Sequence, residues 1–204
     1  MNEKFYKAVI SIIKPFLKFF YPFEVRGLEK IKNSEKNYII CCNHLSNVDV
    51  AFLMVTHKKP IYFMAKEELF KNKILGWFFK KMGAFAVKRG KGDKSALINS
   101  ENIIKSGNIL GIFIEGTRSK TGEFLRPKSG AALIAAKTDS DVLPICITGS
   151  GGNNKVKLFK KTIISYGDFI PSSEIDCEES SRSALKEATN KIMGNIIKLR
   201  RNGD

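Results

Sequence analysis

The chain has 204 residues, of which 43% are hydrophobic and 10% aromatic, so it suits one folded domain and disorder over most of its length is excluded. Its 35 basic and 20 acidic residues give a net charge of +15, which favours a polyanion, an anionic membrane or an acidic substrate as partner. Four cysteines form neither a CxxC pair nor a disulfide-dense pattern, which indicates free thiols in a reducing cytoplasm. Because the chain has two histidines, we assign no metal site.

The first 22 residues are rich in large apolar side chains, and basic residues and a proline interrupt them. A spanning helix needs about 20 predominantly apolar residues, and a secretory signal peptide needs an unbroken apolar run with a small-residue cleavage site. Two alternatives stay open: a basic amphipathic helix in the membrane interface, or a terminal helix packed on the core. We assign residues 1–22 as a membrane-anchoring segment and 23–204 as the main domain. The interrupting residues are Lys4, Lys7, Lys14, Pro15 and Lys18.

From residue 23 onward, short apolar runs alternate with helical patterns, without internal repeat or long linker. This alternation predicts a single α/β domain. The aromatic run within 74–79 is interpreted as core, with an acyl-chain tunnel or lipid contact left open. The predicted strands are 23–27, 38–42, 60–65, 83–88, 109–114, 142–148 and 160–168. The predicted helices are 49–55, 67–82, 93–106, 130–138 and 178–201.

The stretch from Tyr38 to Asp49 places a histidine in a strand-to-helix turn. Ser46 and Asn47 are predicted N-cap residues of the helix that follows. Across such a turn, Asp49 can fold back towards His44. The carboxylate would hold the imidazole in one tautomer, leaving the other ring nitrogen free to take a proton from an alcohol. The alternative is that both side chains cap the turn or face solvent.

Three polar clusters follow three separate predicted strands: His44 with Asp49, then Arg89, then Glu115 with Arg118. Ligands of α/β sheets bind beyond the carboxyl ends of the strands, so the clusters could converge on one pocket. Guanidinium groups suit a phosphate because they supply a planar fork of donors. The alternative for the last cluster is a polar turn with a surface salt bridge.

Taken together, these stretches resemble the glycerolipid acyltransferase family, whose best-known members make phosphatidic acid from lysophosphatidic acid. The segment 43–49 matches the NHx4D motif of that family, and 87–89 is similar to its second, arginine-bearing motif. The segment 113–119 is similar to its FPEGTRS motif, with Ile114 in place of proline. The segment 143–145 resembles its proline-centred fourth motif.

The resemblance implies a glycerol-3-phosphate acyltransferase-like fold, with a central mixed sheet flanked by helices. It also implies transfer of an acyl group from acyl-CoA or acyl carrier protein to the sn-2 hydroxyl of lysophosphatidate. His44 would be the general base, Asp49 would orient it, and the alkoxide would attack the thioester directly. Lys66 would lie near the thioester oxyanion. No cofactor is expected beyond the acyl donor. The residues expected to hold the acceptor phosphate are Arg89, Glu115, Gly116, Thr117, Arg118 and Lys128.

The expected partners are lysophosphatidate, the acyl donor and an anionic membrane surface, at the cytoplasmic face of the cell membrane. No nucleic acid is expected, because the chain has no RNP-type aromatic motif or recognition-helix signature and its basic residues are dispersed. Two alternatives remain: an acyltransferase acting on glycerol 3-phosphate or another lysophospholipid, and a non-catalytic basic protein that binds membranes or nucleic acid.

Overall fold

A seven-stranded mixed sheet forms the centre of the described structure. The computed structural model describes residues 1–33, 37–88, 93–150, 153–175 and 181–201. The strand order is β1-β7-β6-β2-β5-β3-β4, in which the β6–β7 pair is antiparallel and every other pair is parallel. The predicted mixed sheet is confirmed. The strands are β1 (Phe23–Arg26), β2 (Tyr38–Cys42), β3 (Ile61–Lys66), β4 (Ala84–Val87), β5 (Ile109–Phe113), β6 (Asp141–Gly149) and β7 (Thr162–Tyr166).

Six α-helices in the described ranges cover the two faces of this sheet. Helices α1 and α2 pack on one face, and α4, α5 and α6 pack on the other. Short 3₁₀ turns at Leu28–Asn33, Glu67–Phe70 and Ser172–Glu174 complete the elements. The helices are α1 (Glu3–Phe20), α2 (Asp49–Thr56), α3 (Lys73–Lys81), α4 (Lys94–Lys105), α5 (Gly130–Thr138) and α6 (Arg182–Arg201).

Strand β2 lies between β5 and β6 and is buried along its whole length. Tyr38, Ile40 and Cys42 contribute to the core beneath α1 and α2, and Ile39 and Cys41 contribute to the core on the opposite face. This alternation follows from the pleat of a strand, which sends successive side chains to opposite faces. A strand covered on both faces reads as a continuous apolar run, and its predicted bounds agree with the structure.

The cysteines that the structure describes are buried free thiols, as the sequence indicated. They are Cys41, Cys42 and Cys146. Burial raises the pKa of each thiol, because a low-dielectric interior disfavours the thiolate. Cys177 lies outside the described residues.

The interpretation of the 74–79 aromatic run as core is wrong for the outward side of α3. Ile74 is 78% exposed and Trp77 is 54% exposed, and Leu75 is also exposed. The physical reason is the position of α3, which packs beside β4, the edge strand of the sheet. An edge helix has protein on one side only, so part of its apolar surface stays uncovered.

Helix α1 combines features of both alternatives that the sequence left open. Tyr6 and Leu17 are buried in the core shared with β2 and α2, whereas Ile12, Phe16 and Phe19 are 63%, 62% and 68% exposed. The helix therefore packs on the domain with one face and presents a second apolar face outward. None of the helices in the described ranges is long and apolar enough to cross a bilayer.

One of the two histidines, His57, is a buried structural residue at the end of α2. Its Nδ1 lies 2.8 Å from the backbone oxygen of Lys59, and its Nε2 lies 2.7 Å from the hydroxyl of Tyr38. A carbonyl only accepts, so Nδ1 carries the proton and Nε2 accepts from the tyrosine. Burial lowers the pKa of His57, because the charged imidazolium is disfavoured there.

We expect the free energy of unfolding to fall as the pH drops below about 6.5, the unfolded-state pKa of histidine. His57 then binds a proton in the unfolded chain, whereas burial keeps it neutral in the folded protein. The contribution of His57 to the free energy of unfolding is therefore complete above the unfolded-state pKa and is lost as the pH falls to the lower folded-state pKa. One proton contributes at most about 1.4 kcal/mol per pH unit. Urea unfolding at about pH 7.5 and about pH 5.5 should show a smaller pH effect in His57→Gln than in the wild type. An unchanged pH effect would contradict this assignment.

Candidate active site

A histidine–aspartate pair lies where β2 ends and α2 begins. His44 Nδ1 is 2.8 Å from Asp49 Oδ2, and both side chains are buried. A carboxylate accepts hydrogen bonds, so Nδ1 carries the proton. The other ring nitrogen, Nε2, then holds a lone pair, and no described residue hydrogen-bonds it.

Asp49 also fixes the turn between the two elements. Its Oδ2 accepts from the backbone N–H of Leu45 at 2.6 Å and of Ser46 at 2.8 Å. A carboxylate in the first turn of a helix is further favoured by the helix dipole. The prediction that Ser46 and Asn47 cap this helix is wrong: the N-cap position is Val48, which makes no side-chain capping bond. Ser46 Oγ instead accepts from Val48 N at 3.3 Å, within the turn that precedes the helix.

Asn43 joins the end of β2 to β6. Its Oδ1 accepts from Ile147 N at 2.8 Å, and its Nδ2 donates to Ile147 O at 2.9 Å. The last backbone pair between these strands is Cys42 with Ile145, so the amide side chain continues the ladder by one step. The backbone immediately before His44 is thereby fixed.

The imidazole ring is also held by a neighbouring strand. Phe113, the last residue of β5, stacks on His44 with ring centroids 3.9 Å apart and an angle of 15° between the planes. A stacked aromatic face restricts rotation of the imidazole about its side-chain bonds. Ser119 N donates to His44 O at 2.8 Å, so the backbone of His44 is also tied to the turn after β5.

Glu115 fixes the backbone of the turn that carries His44. It is 1% exposed, and its two carboxylate oxygens accept from His44 N at 3.3 Å and from Leu125 N at 3.1 Å. Burial raises the pKa of this carboxyl, and the two backbone N–H groups oppose that shift. We therefore revise the expectation that Glu115 contacts a phosphate: both of its oxygens already bind backbone, which makes it a positioning residue.

The next three residues of the motif, Gly116, Thr117 and Arg118, are exposed. Gly116 has φ +69, a left-handed conformation that costs glycine little. A Cβ at this position would lie 3.4 Å from Lys128 Cγ, and Lys128 N donates to Ile114 O at 2.8 Å. The structure thus places the predicted residue Lys128 beside the turn.

The structure describes one of the two remaining predicted residues. Lys66 ends β3 and forms an ion pair with Glu68 at 2.9 Å, with both side chains about half exposed. Arg89 follows β4 but lies outside the described residues.

A narrow, mostly apolar cavity of about 130 Å³ opens beside His44. It lies at the carboxyl ends of β3, β4 and β5, the edge where the sequence predicted that polar clusters would meet. The residues that line it are His44, Met64, Ala65, Val87, Gly111, Ile112, Phe113 and Gly116.

Comparison with known proteins shows the family to which this chain belongs. The family model described as Acyltransferase matches residues 22–148. The chain belongs to the acyltransferase family. It is 35% identical over 203 residues to the 1-acyl-sn-glycerol-3-phosphate acyltransferase of Bacillus subtilis, covering 92% of this chain and 98% of that protein. The enzyme of that name from Streptococcus pneumoniae is 30% identical over 173 residues, and the match covers 84% of this chain and 63% of that protein.

The fold is also similar to a solved acyltransferase structure. The crystal structure of the 1-acyl-sn-glycerophosphate acyltransferase PlsC from Thermotoga maritima matches with a TM-score of 0.70 and 26% sequence identity. The match covers 97% of this chain and 82% of that one. The resemblance to the glycerolipid acyltransferases that the motifs indicated is therefore confirmed at the level of family and fold.

The acyltransferase site includes supporting residues that sequence reasoning missed. Arg200 of α6 is buried, its Nη1 donates to Gly122 O at 3.1 Å, and its guanidinium carbon lies 3.6 Å from the centre of the Phe124 ring. It holds the segment that leads from the motif turn to Leu125. The one available signal was that Arg200 follows Ile192 and Ile196 at four-residue spacing on the apolar face of the last helix, which does not reveal its partner.

We expect Glu115→Gln to lower the free energy of unfolding by about 1–3 kcal/mol, because an amide nitrogen replaces one of two oxygens that satisfy buried backbone N–H groups. Glu123→Gln is the matched control, since Glu123 is an exposed acid in the same segment, and its effect should stay within about 0.5 kcal/mol. Chemical denaturation of both variants measures the difference. Equal stabilities for the two variants would refute the positioning role.

Proposed function

We propose that this acyltransferase moves a fatty acyl group from a thioester donor to the sn-2 hydroxyl of lysophosphatidate, giving phosphatidate in phospholipid synthesis. The observation that carries the proposal is the 2.8 Å hydrogen bond between His44 Nδ1 and Asp49 Oδ2. It leaves Nε2 as a base beside an apolar cavity. The names of the relatives support the choice of acceptor.

The reaction needs one base and no covalent enzyme intermediate. His44 Nε2 takes the proton of the acceptor hydroxyl, and the oxygen forms a bond to the thioester carbonyl carbon. The carbon–sulfur bond then breaks, and the imidazolium returns the proton to the departing thiolate. Asp49 stabilises the imidazolium between these steps. A positioned general base typically contributes about 10²- to 10⁴-fold to the rate.

The exposed turn after β5 supports a phosphate site beside this base. Gly116, Thr117 and Arg118 would face the acceptor phosphate, with Lys128 and Arg89 adding positive charge. Lysophosphatidate carries its phosphate close to the free hydroxyl, so a bound phosphate also positions the hydroxyl. The hydroxyl then meets His44 and the thioester in a fixed orientation instead of by a random encounter. Lys66 would leave its ion pair with Glu68 and approach the thioester oxygen.

We expect purified protein to release thiol from acyl-CoA in the presence of lysophosphatidate, and we expect His44→Ala to lower kcat by about 10²- to 10⁴-fold. Asp49→Ala should also lower kcat strongly, because it removes the oxygen that accepts from Nδ1 and orients the imidazole. His57→Gln is the control, since it changes the other histidine at a distance from the cavity. Parallel reactions contain glycerol 3-phosphate, no acceptor, or acyl carrier protein thioester as donor.

The comparison of acceptors and donors decides between the candidate substrates. Turnover that requires lysophosphatidate supports the proposed acceptor, and turnover with glycerol 3-phosphate in its place would refute it. Equal activity in the wild type and in His44→Ala would refute the mechanism.

We further propose that α1 docks this enzyme on the cytoplasmic face of the membrane. Its exposed face carries Ile12, Phe16 and Phe19, with the basic Lys14 and Lys18 beside it. Apolar side chains next to lysines suit an anionic lipid interface. Each basic residue near such a surface contributes about 1 kcal/mol.

A second segment extends this apolar face. Phe159, between β6 and β7, is 57% exposed, and its ring centroid lies 6.1 Å from that of Phe19 and 5.7 Å from that of Phe20. Its backbone N–H donates to Phe20 O at 2.7 Å. The aromatic surface at the end of α1 is therefore formed by two separate parts of the chain.

We expect Phe16→Ser/Phe19→Ser to weaken binding to phosphatidylglycerol vesicles by at least about tenfold, because burial of one such side chain contributes about 1.5–3 kcal/mol. Ile98→Ser is the control, since Ile98 is exposed on α4. Removing α1 entirely would be a poorer test because it also removes Tyr6 and Leu17 from the core. Co-sedimentation measures binding, and undiminished binding of the double variant would rule out this face.

A further inference from the structure

A second cavity, of about 410 Å³, lies between the segment that precedes α5 and the first half of α6. Arg126 and Lys128 line it from the segment, and Arg182 and Lys186 line it from the helix. Arg182 and Lys186 are four residues apart, so they share one face of α6. Apolar and hydroxyl groups complete the lining, among them Pro127, Leu185 and Thr189.

Among the described residues, the positive charge of this cavity has no acidic partner. None of the residues that line it is acidic, and these four basic side chains form no ion pair with another described residue. Arg182 also begins α6, whose first turn holds no acidic residue. The helix dipole at this end favours an anion. The arrangement thus favours a bound anion with several negative charges.

The cavity adjoins the site around His44 through Lys128. Lys128 lines the basic cavity, and its Cγ lies 3.4 Å from the position that a Cβ of Gly116 would take. Gly116 in turn lines the apolar cavity beside His44. One short stretch of chain therefore separates the reacting centre from the basic cavity.

We propose that the basic cavity binds the phosphate-bearing nucleotide of a coenzyme A thioester donor. This inference rests on the proposed function and adds the class of donor to it. A coenzyme A thioester carries its reacting carbonyl at the end of a long pantetheine arm, and its diphosphate and ribose phosphate lie at the other end. Its negative charges therefore bind away from His44. The guanidinium groups of Arg126 and Arg182 match phosphate oxygens in pairs, and Leu185 offers apolar contact to the base.

The test compares two donors that carry the same acyl group, acyl-CoA and acyl-N-acetylcysteamine, since the second donor has no phosphate. In Arg182→Gln/Lys186→Gln, the ratio of kcat/KM for acyl-CoA to that for acyl-N-acetylcysteamine falls by about tenfold, because two charges that face the phosphates are removed. Lys198→Gln/Arg201→Gln removes two exposed charges from the far end of the same helix, and this control keeps the wild-type ratio. An unchanged ratio in Arg182→Gln/Lys186→Gln overturns the inference.

A binding measurement separates this inference from the proposed function. Calorimetric titration with free coenzyme A needs no turnover, and the affinity falls in Arg182→Gln/Lys186→Gln while the control variant keeps it. Equal affinities in the wild type and Arg182→Gln/Lys186→Gln, or no binding at all, overturn the inference. A wild type that accepts acyl carrier protein thioesters and rejects acyl-CoA also overturns it and leaves the proposed reaction standing. Charge-dependent binding of coenzyme A without any acyl transfer supports the site and refutes the proposed function.

Discussion

The site depends on a single oxygen atom, Asp49 Oδ2, which accepts hydrogen bonds from His44 Nδ1 and from the backbone of Leu45 and Ser46. The same atom therefore orients the imidazole, closes the turn after β2 and secures the beginning of α2. Its burial strengthens these bonds, because the interior screens charge poorly.

The sheet supplies the rest of the positioning. Strands β5 and β6 flank β2, so residues at their ends reach the histidine from both sides: Phe113 stacks on its ring, and Ile147 binds the amide of Asn43. Glu115 then ties the backbone of His44 to Leu125. Ligands of α/β sheets commonly bind beyond the carboxyl ends of the strands. Here residues at the ends of three adjacent strands hold one imidazole ring in place.

The sequence was sufficient for β2 and for the closeness of His44 and Asp49, because these follow from an apolar run and a short turn, whereas the mixed sheet was expected from the resemblance of the motifs. It did not reveal the roles of Asn43, Glu115 or Arg200, since each depends on a partner far away in the chain. Residues 147 and 43 meet only after β6 pairs with β2. The apolar pattern of α3 also did not predict its exposed side chains. Periodicity shows which side chains are apolar, but it does not show that the helix lies beside an edge strand of the sheet. The cap of α2 was mispredicted because Ser46 Oγ accepts from Val48 N in the preceding turn and Val48 itself holds the N-cap position.

The central claim is that Asp49 holds His44 as the tautomer with the proton on Nδ1 and a free lone pair on Nε2. Nitrogen-15 NMR of histidine-labelled protein at neutral pH tests it most directly, because the chain has two histidines and His57→Gln assigns the remaining signal. The account predicts that His44 gives the pattern of a protonated Nδ1 and an unprotonated Nε2, and that Asp49→Ala abolishes this pattern. A protonated Nε2 in the wild type, or an unchanged spectrum in Asp49→Ala, would contradict the account.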